Sequence, residues 1–312
     1  MLDTIVIGAG QAGLGVGWHL AQRGVDALIL ERGRVGETWR SQRWDSFELN
    51  TPNWMNHLPG HTFEAGDQDG FAPTATLVGS FEEAARDLSV RAGVEVSSLQ
   101  SDGDSYRLET TEGARRAKSV VLACGNLNVP RIPDAAATLP PRIHQIHTAD
   151  YRTAGQLPAG SVLVVGGGQS GAQIVEDLLK AGRRVYFSIS AATRLPRRYR
   201  GRDLMAWWED MGIWDITPDQ VDDPAMLRAT NPLISGLGRY GHSVSYQWLA
   251  GQGATLLGRF ERVVDGRFQT DGLATEYIAA ADRFSAEWRD RIDAWVAEQE
   301  IEASPPEEDP GD

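Results

Sequence analysis

The sequence predicts an α/β chain in which one parallel-sheet motif is built twice, and three observations carry that prediction. A short apolar strand runs into a glycine-rich turn at residues 3–13, the same pattern returns at 161–171, and an apolar second strand follows each intervening helix. A strand–turn–helix–strand unit of about thirty residues is how an open parallel sheet begins. At roughly 150 residues per domain, a chain of 312 residues makes about two domains.

Residues 3–8 are β-branched and apolar and end in glycine, as a buried strand does. Residues 11–23 have helical composition, and Gly24 stands where a helix stops. Residues 25–31 form the second apolar strand. Between 33 and 69 no period is visible, and Trp39, Trp44, Trp54, Pro52 and Pro59 interrupt a polar stretch. An irregular excursion of that length in a compact domain is more often functional than idle. A helix is expected over 81–92 and strands over 94–96, 106–110 and 119–123.

The second copy has its strand at 162–165, its helix at 169–180, Gly182 as the stop and a strand at 185–189. Gly166 stands where Gly8 stood. Leu204, Trp207, Trp208 and Met211 recur at helical spacing; Trp207, Trp208 and Trp214 read first as packing, with the roof of a substrate site as the competing reading. Tyr277, Ala281, Phe284, Trp288, Ile292 and Trp295 recur every three or four residues, which predicts one long amphipathic helix over 273–298. The expected organisation is a first nucleotide-binding domain over 1–150, a second over 151–272, a long helix within 273–300 and an acidic disordered tail over 301–312.

Composition limits the partners. A hydrophobic share of 41% with 23% charged residues excludes a wholly disordered chain. No apolar run approaches the ~18 residues of a membrane helix, and the N-terminus enters its first strand without a leader-like segment. A net charge of −13 repels phosphate backbones, so no nucleic-acid partner is expected. The single cysteine, Cys124, forms no internal disulfide, which suits a cytoplasmic, reducing setting. It follows an apolar strand and reads as packed core.

The first turn is Gly8-Ala9-Gly10-Gln11-Ala12-Gly13, a G-x-G-x-x-G. Its first glycine makes the tight turn, its second admits a pyrophosphate to the backbone, and its third lets helix and strand pack closely. The helix N-terminus adds unpaired N–H groups and the positive end of the helix dipole. Glu31 ends the second strand 18 residues past Gly13, where a carboxylate accepts from a ribose hydroxyl, and Arg32 follows it. Together these define a Rossmann-like dinucleotide site.

The second turn is Gly166-Gly167-Gly168-Gln169-Ser170-Gly171. No acid stands where Glu31 stands; Ser188 and Ser190 flank that position, with Arg194, Arg197 and Arg198 beyond. An acid would repel a 2′-phosphate and arginines would bind one, so this site reads as NADP-type. Two dinucleotide sites on one chain imply two cofactors working on each other, most economically FAD in the first and NADPH in the second. Other chemistries score poorly: there is no C-x-x-C and no H-E-x-x-H, so no metal site is expected. Gly241-His242-Ser243-Val244-Ser245 lacks both the final glycine and the preceding strand of a hydrolase elbow.

Further segments give the chain a family likeness. Gly36-Glu37-Thr38-Trp39-Arg40 resembles the segment after the FAD fingerprint of flavin-containing monooxygenases. Ala123-Cys124-Gly125 resembles the A-T-G that ends their first domain. His147 to Tyr151 matches the H-x-x-x-[FY] end of their long signature, whose earlier phenylalanine and glycine are Pro141 and Ile143 here. Arg194 to Asp203 resembles a bacterial branch similar to the plant YUCCA enzymes. The resemblance implies that Gly36, Thr38, Trp39, Cys124 and Gly125 help hold FAD. It implies NADPH and oxygen as co-reactants, a C4a-(hydro)peroxyflavin, and oxygenation of a small organic substrate. Asn50 falls where the family places an asparagine near the flavin; the competing reading is an Asn that caps the turn before Pro52. Family members continue past the long helix into a return segment that completes the first domain. Its lack here leaves three expectations open: a truncated or split product, a companion chain or second copy that completes the sheet, or loss of oxygenation. NADPH:flavin oxidoreductase activity without productive oxygenation and a non-catalytic nucleotide-binding subunit are the alternative functions.

Overall fold

The computed structural model describes residues 1–221 and 231–308. The chain divides into two compact units, one of residues 1–43, 52–68 and 72–131, the other of 44–51, 69–71 and 132–308 within the described range. The division falls at 131/132 rather than at 150, and the long helix is part of the second unit. Residues 222–230 of the expected second domain and 309–312 of the expected tail lie outside the described residues.

In the first unit, β1 (Leu2–Ile7), α1 (Gln11–Gln22) and β2 (Ala27–Glu31) form the predicted opening. They are followed by α2 (Glu37–Ser41), α3 (Thr74–Arg86), β3 (Val90–Ala92), β4 (Val96–Asp102), β5 (Ser105–Thr110) and β6 (Arg115–Leu122). The sheet order is β3-β2-β1-β6-β5-β4, with β3, β2, β1 and β6 parallel and β5 and β4 antiparallel. Ile5, Leu30, Val94, Leu108 and Ala117 form its core. Gly17 lets α1 lie close to β2: a Cβ there would stand 2.6 Å from Ile29 Cδ1. The helix expected over 81–92 is displaced. It starts at Thr74, with Pro73 at its N-cap in an extended conformation, so that Leu77, Val78, Phe81 and Ala84 share a buried face, and it gives way to β3.

The second unit holds β7 (Val162–Val165), α4 (Gln169–Lys180), β8 (Val185–Ser188), β9 (Arg198–Tyr199), β10 (Arg202–Asp203) and α5 (Leu204–Asp210). Next come α6 (Tyr246–Gly251), β11 (Thr255–Leu257), β12 (Phe260–Val264), β13 (Arg267–Thr270) and α7 (Ala274–Glu298). Its parallel sheet has the order β11-β8-β7. The three strands β11, β12 and β13 were not foreseen; β12 and β13 meet at Asp265-Gly266, both at positive φ, as a tight hairpin turn requires. Along α7, Ala281, Ser285, Trp288, Ile292 and Val296 are buried at spacings of three and four. Trp288 packs on Trp208 and Trp295 on Trp207, with Trp207 and Trp288 buried and Trp208 and Trp295 half-buried beside them.

Two further expectations are corrected. Cys124 is exposed rather than packed: among the described residues β6 has no neighbour besides β1 over 118–122, and Leu122 there is 68% exposed. The described part of the tail has no regular structure, yet it is tied down: Arg200 donates to the Ser304 carbonyl and the Gly201 amide to the Glu307 carboxylate.

Candidate functional site

The two glycine turns have the same backbone frame. The Gly8 amide donates to the Leu30 carbonyl at 2.7 Å, and the Gly166 amide to the Ser188 carbonyl at 3.0 Å. Gly8 lies at φ +110° and Gly166 at φ +117°, a conformation glycine takes without cost. A Cβ on Gly13 would meet the Gly8 carbonyl at 1.8 Å, and one on Gly171 the Gly166 carbonyl at 2.0 Å. A Cβ on Gly10 or Gly168 would meet nothing within 4 Å. No side chain caps α1 or α4 at these glycines. Both helix starts therefore present amides toward open space, the arrangement a pyrophosphate needs. Gln11, Ala12 and Ser170 are exposed beside them.

Around the first turn, the Glu31 carboxylate accepts from the Ala9 amide at 2.9 Å and the Gly33 amide at 2.8 Å. It thereby holds the turn to the end of β2, and a carboxylate with about four acceptor positions retains capacity for a hydroxyl. The Gly36 amide donates to the Ala9 carbonyl at 3.0 Å, which brings α2, with Thr38 and Trp39, to the same turn. Glu37 is held down to about 2 by its ion pair with Arg34. Arg32 is exposed and reaches Asn128, whose amide donates to the Cys124 carbonyl at 2.6 Å. Gly125 follows at φ +71°.

Around the second turn the expected phosphate readers are placed differently. Ser188 is buried; its hydroxyl donates to the Gly258 carbonyl at 2.9 Å and accepts from the Phe260 amide at 2.8 Å. Arg194 is 1% exposed and pairs with Asp282 at 2.6 Å. Arg197 is 0% exposed and pairs with Asp203, while its ring-facing side lies 4.6 Å from the centre of Phe71. Burial pushes its guanidinium below the usual range and Asp203 pulls it back. These three side chains are internal in this geometry because each has found a partner elsewhere in the unit. Arg198 alone of the three arginines keeps solvent exposure, with one nitrogen donating to the Tyr240 carbonyl at 2.7 Å.

Three contacts escaped the sequence reading. Tyr246 donates to the Gly167 carbonyl at 2.8 Å and buttresses the turn from 79 residues away, a distance no local pattern reveals. Burial raises its hydroxyl pKa, so it stays a donor. Tyr151, the end of the H-x-x-x-[FY] segment, donates to Asp177 of α4, which also accepts from Ser46 at 2.6 Å. Gln173, a glutamine on the buried face of α4 between Ala172 and Ile174, donates to Asn50 Oδ1 at 3.0 Å. A polar residue inside an apolar helix face was the available signal. Asn50 itself lies in the 44–51 segment of the second unit, with its backbone carbonyl accepting from Arg197 at 2.7 Å.

Residues 3–55 match the family described as FAD dependent oxidoreductase, and residues 80–205 the family described as pyridine nucleotide-disulphide oxidoreductase. The chain is 36% identical over 220 residues to a CzcO-like uncharacterized oxidoreductase of Geobacillus kaustophilus, a match covering 69% of this chain and 62% of the relative. It is 34% identical to the uncharacterized oxidoreductase CzcO of Bacillus subtilis, covering 79% of this chain and 70% of that protein. Indole-3-pyruvate monooxygenase YUCCA1 of Oryza sativa is 25% identical over 94% of this chain and 75% of its own. Among solved structures, a flavin-containing monooxygenase from Stenotrophomonas maltophilia has the same fold, with a TM-score of 0.59 at 18% identity over 96% of this chain and 99% of that one. With its duplicated glycine turns and these relatives, the chain belongs to the flavin-containing monooxygenase family, among its CzcO-like oxidoreductases.

Proposed function

We propose that this protein is an FAD- and NADPH-dependent monooxygenase acting on a small organic substrate. The observation that carries the reading is the pair of like-built glycine turns, each with an uncapped helix start open at its second glycine. In this reading Gly8, Gly10 and Gly13 receive the FAD pyrophosphate, Glu31 its ribose, and the Gly36–Trp39 and Cys124–Gly125 segments border it. Gly166, Gly168 and Gly171 receive NADPH, and Arg198 contributes the charge for its 2′-phosphate. Bound FAD supplies the electron transfer from NADPH to oxygen that oxygenation requires. The chain's own part is to hold both nucleotides, to set Asn50 as an amide donor and to exclude water. No helix among the described residues is long and apolar enough to cross a membrane, and we place the protein in the cytoplasm.

A second reading rests on the open edge of β6. Leu122 at its end and Leu127 and Val129 in the segment after it are 68%, 50% and 83% exposed, and a strand edge without a partner among the described residues, beside apolar side chains, is a template for another strand. A companion segment that pairs with β6 would then complete the FAD-holding unit. Expressing the 312-residue chain alone and identifying any flavin released on denaturation separates the readings. Retained FAD, NADPH oxidation and less than one peroxide released per NADPH support the monooxygenase. Stoichiometric peroxide indicates an oxidoreductase without productive oxygenation, and a colourless protein indicates a missing companion. Arg198→Ala should weaken NADPH binding by about tenfold through loss of a charged hydrogen bond and leave NADH unaffected; equal effects on both would remove the 2′-phosphate role.

A further inference from the structure

Gln173 is 1% exposed, and its side-chain NH₂ lies between two oxygens, the Ser235 carbonyl at 3.2 Å and Asn50 Oδ1 at 3.0 Å. A backbone carbonyl only accepts, so the end of Gln173 that meets Ser235 has to be its NH₂. That same NH₂ faces Asn50, which must therefore turn its oxygen toward Gln173. The Ser235 peptide cannot rotate to relieve this requirement. Gln169, one turn earlier on α4, donates to the same carbonyl and accepts from the Ile234 and Ser235 amides at 2.9 and 3.2 Å. Arg197 fixes the other side of Asn50 through its backbone carbonyl. What remains of the Asn50 side chain is its NH₂, which has no protein acceptor among the described residues.

We propose that Gln173 is a positioning residue that makes Asn50 an obligate hydrogen-bond donor. An asparagine in a loop presents its oxygen or its NH₂ with little preference, since the two ends have the same shape. Here the oxygen-out arrangement would set the NH₂ of half-buried Asn50 against the buried NH₂ of Gln173 and forfeit a hydrogen bond. The donor orientation is thus dictated by the helix that begins at the second glycine turn, through two glutamines on one face of it. A preset donor stabilises negative charge developing on an oxygen without having to reorganise first. The proposal rests on the reading of Asn50 as the amide beside the reacting flavin.

The test uses the full chain with FAD, comparing Gln173→Met and Gln173→Glu with Asn50→Ala. The Asn50 side-chain amide is followed by ¹H–¹⁵N correlation, its pair of signals assigned by their loss in Asn50→Ala. Peroxide released per NADPH oxidised is the second readout. Gln173→Met should move the Asn50 pair to the position of a solvated amide and raise peroxide release about fivefold, the worth of one hydrogen bond, with the NADPH KM unchanged. The same substitution should add nothing in the Asn50→Ala background. Gln173→Glu, which keeps the shape but changes the donor, should move the signals as well and serves where the methionine variant fails to fold. Asn50 signals that stay in place in both variants overturn the positioning. Uncoupling in Asn50→Ala but in neither Gln173 variant overturns it too, leaving the Asn50 reading intact. Unchanged coupling in Asn50→Ala removes that reading itself, and the proposal with it.

Discussion

The two glycine turns share a backbone and differ in what stands around it. Gly8 ends a strand that has neighbours on both sides, and a Cβ there would run into the Ala123 carbonyl at 2.4 Å. Gly166 ends β7, which is the edge of its sheet, and a Cβ there would meet nothing within 4 Å. The first turn is braced by a carboxylate, Glu31, on its own second strand. The second is braced by a tyrosine hydroxyl from a distant helix, and the serine and two of the arginines beyond its second strand are internal. One sequence signature therefore specifies a backbone path and leaves its support, and its ligand-facing charge, to be built by residues far away in the chain.

The strongest way to break this contrast is Arg197→Met. If Arg197 is internal, removing it leaves Asp203 buried without its cation and costs about 3–5 kcal/mol in urea unfolding, with Asp203→Leu recovering much of the loss. An unchanged unfolding midpoint with a raised NADPH KM would return Arg197 to the nucleotide. The next effect compares the turns directly. Gly8→Ala and Gly166→Ala share the strain of positive φ, but the first adds overlap with a backbone carbonyl, so it should destabilise by about 1–3 kcal/mol more. Equal losses would mean that the flanking strand yields. Tyr246→Phe removes one hydrogen bond from the second turn, worth about 1 kcal/mol, and should weaken NADPH binding severalfold while leaving flavin content alone. A drop in bound flavin in that variant would show that the turns are not independently braced.

The smallest effect is a pH dependence. Burial lowers the pKa of His242 from its ordinary 6.5, against the opposing pull of Glu176 at 3.4 Å. The unfolded chain then binds the proton more readily, so the stability this neutral histidine contributes is complete above pH 6.5 and is lost as pH falls below it. His242→Gln should flatten the fall in melting temperature on the acid side of neutrality, and a slope identical to the parent would assign it to other groups.

How much of this was legible follows from sequence distance. The β1–α1–β2 and β7–α4–β8 units were readable because turn, helix and strands lie within one short window and carry their own periodicity. The start of α3 was marked by Pro73, but the tryptophan-rich polar stretch before it hid the helix face. β3 is three residues long and, among the described residues, pairs only with β2, so nothing local distinguishes it from a helix end. The burial of Arg194 was invisible in its charge, since its partner Asp282 lies 88 residues away, whereas Arg197 pairs with Asp203 only six residues on. The fate of Cys124 depended on whether a strand covered β6, which no residue near it records.

The clasp of α7 on the basic segment has a consequence for synthesis. Arg194, Tyr199 and Arg200 receive their carboxylate partners from Asp282 and Asp293, which leave the ribosome 88 to 94 residues later. At 5–20 residues per second, the interval before Asp282 follows Arg194 is about 4–18 s. During that time the β7–β8 pair can already be hydrogen-bonded, while Arg194 and Arg200 still wait for the carboxylates of α7. The buried arginine at the start of the segment thus gains its carboxylate only once α7 has been made.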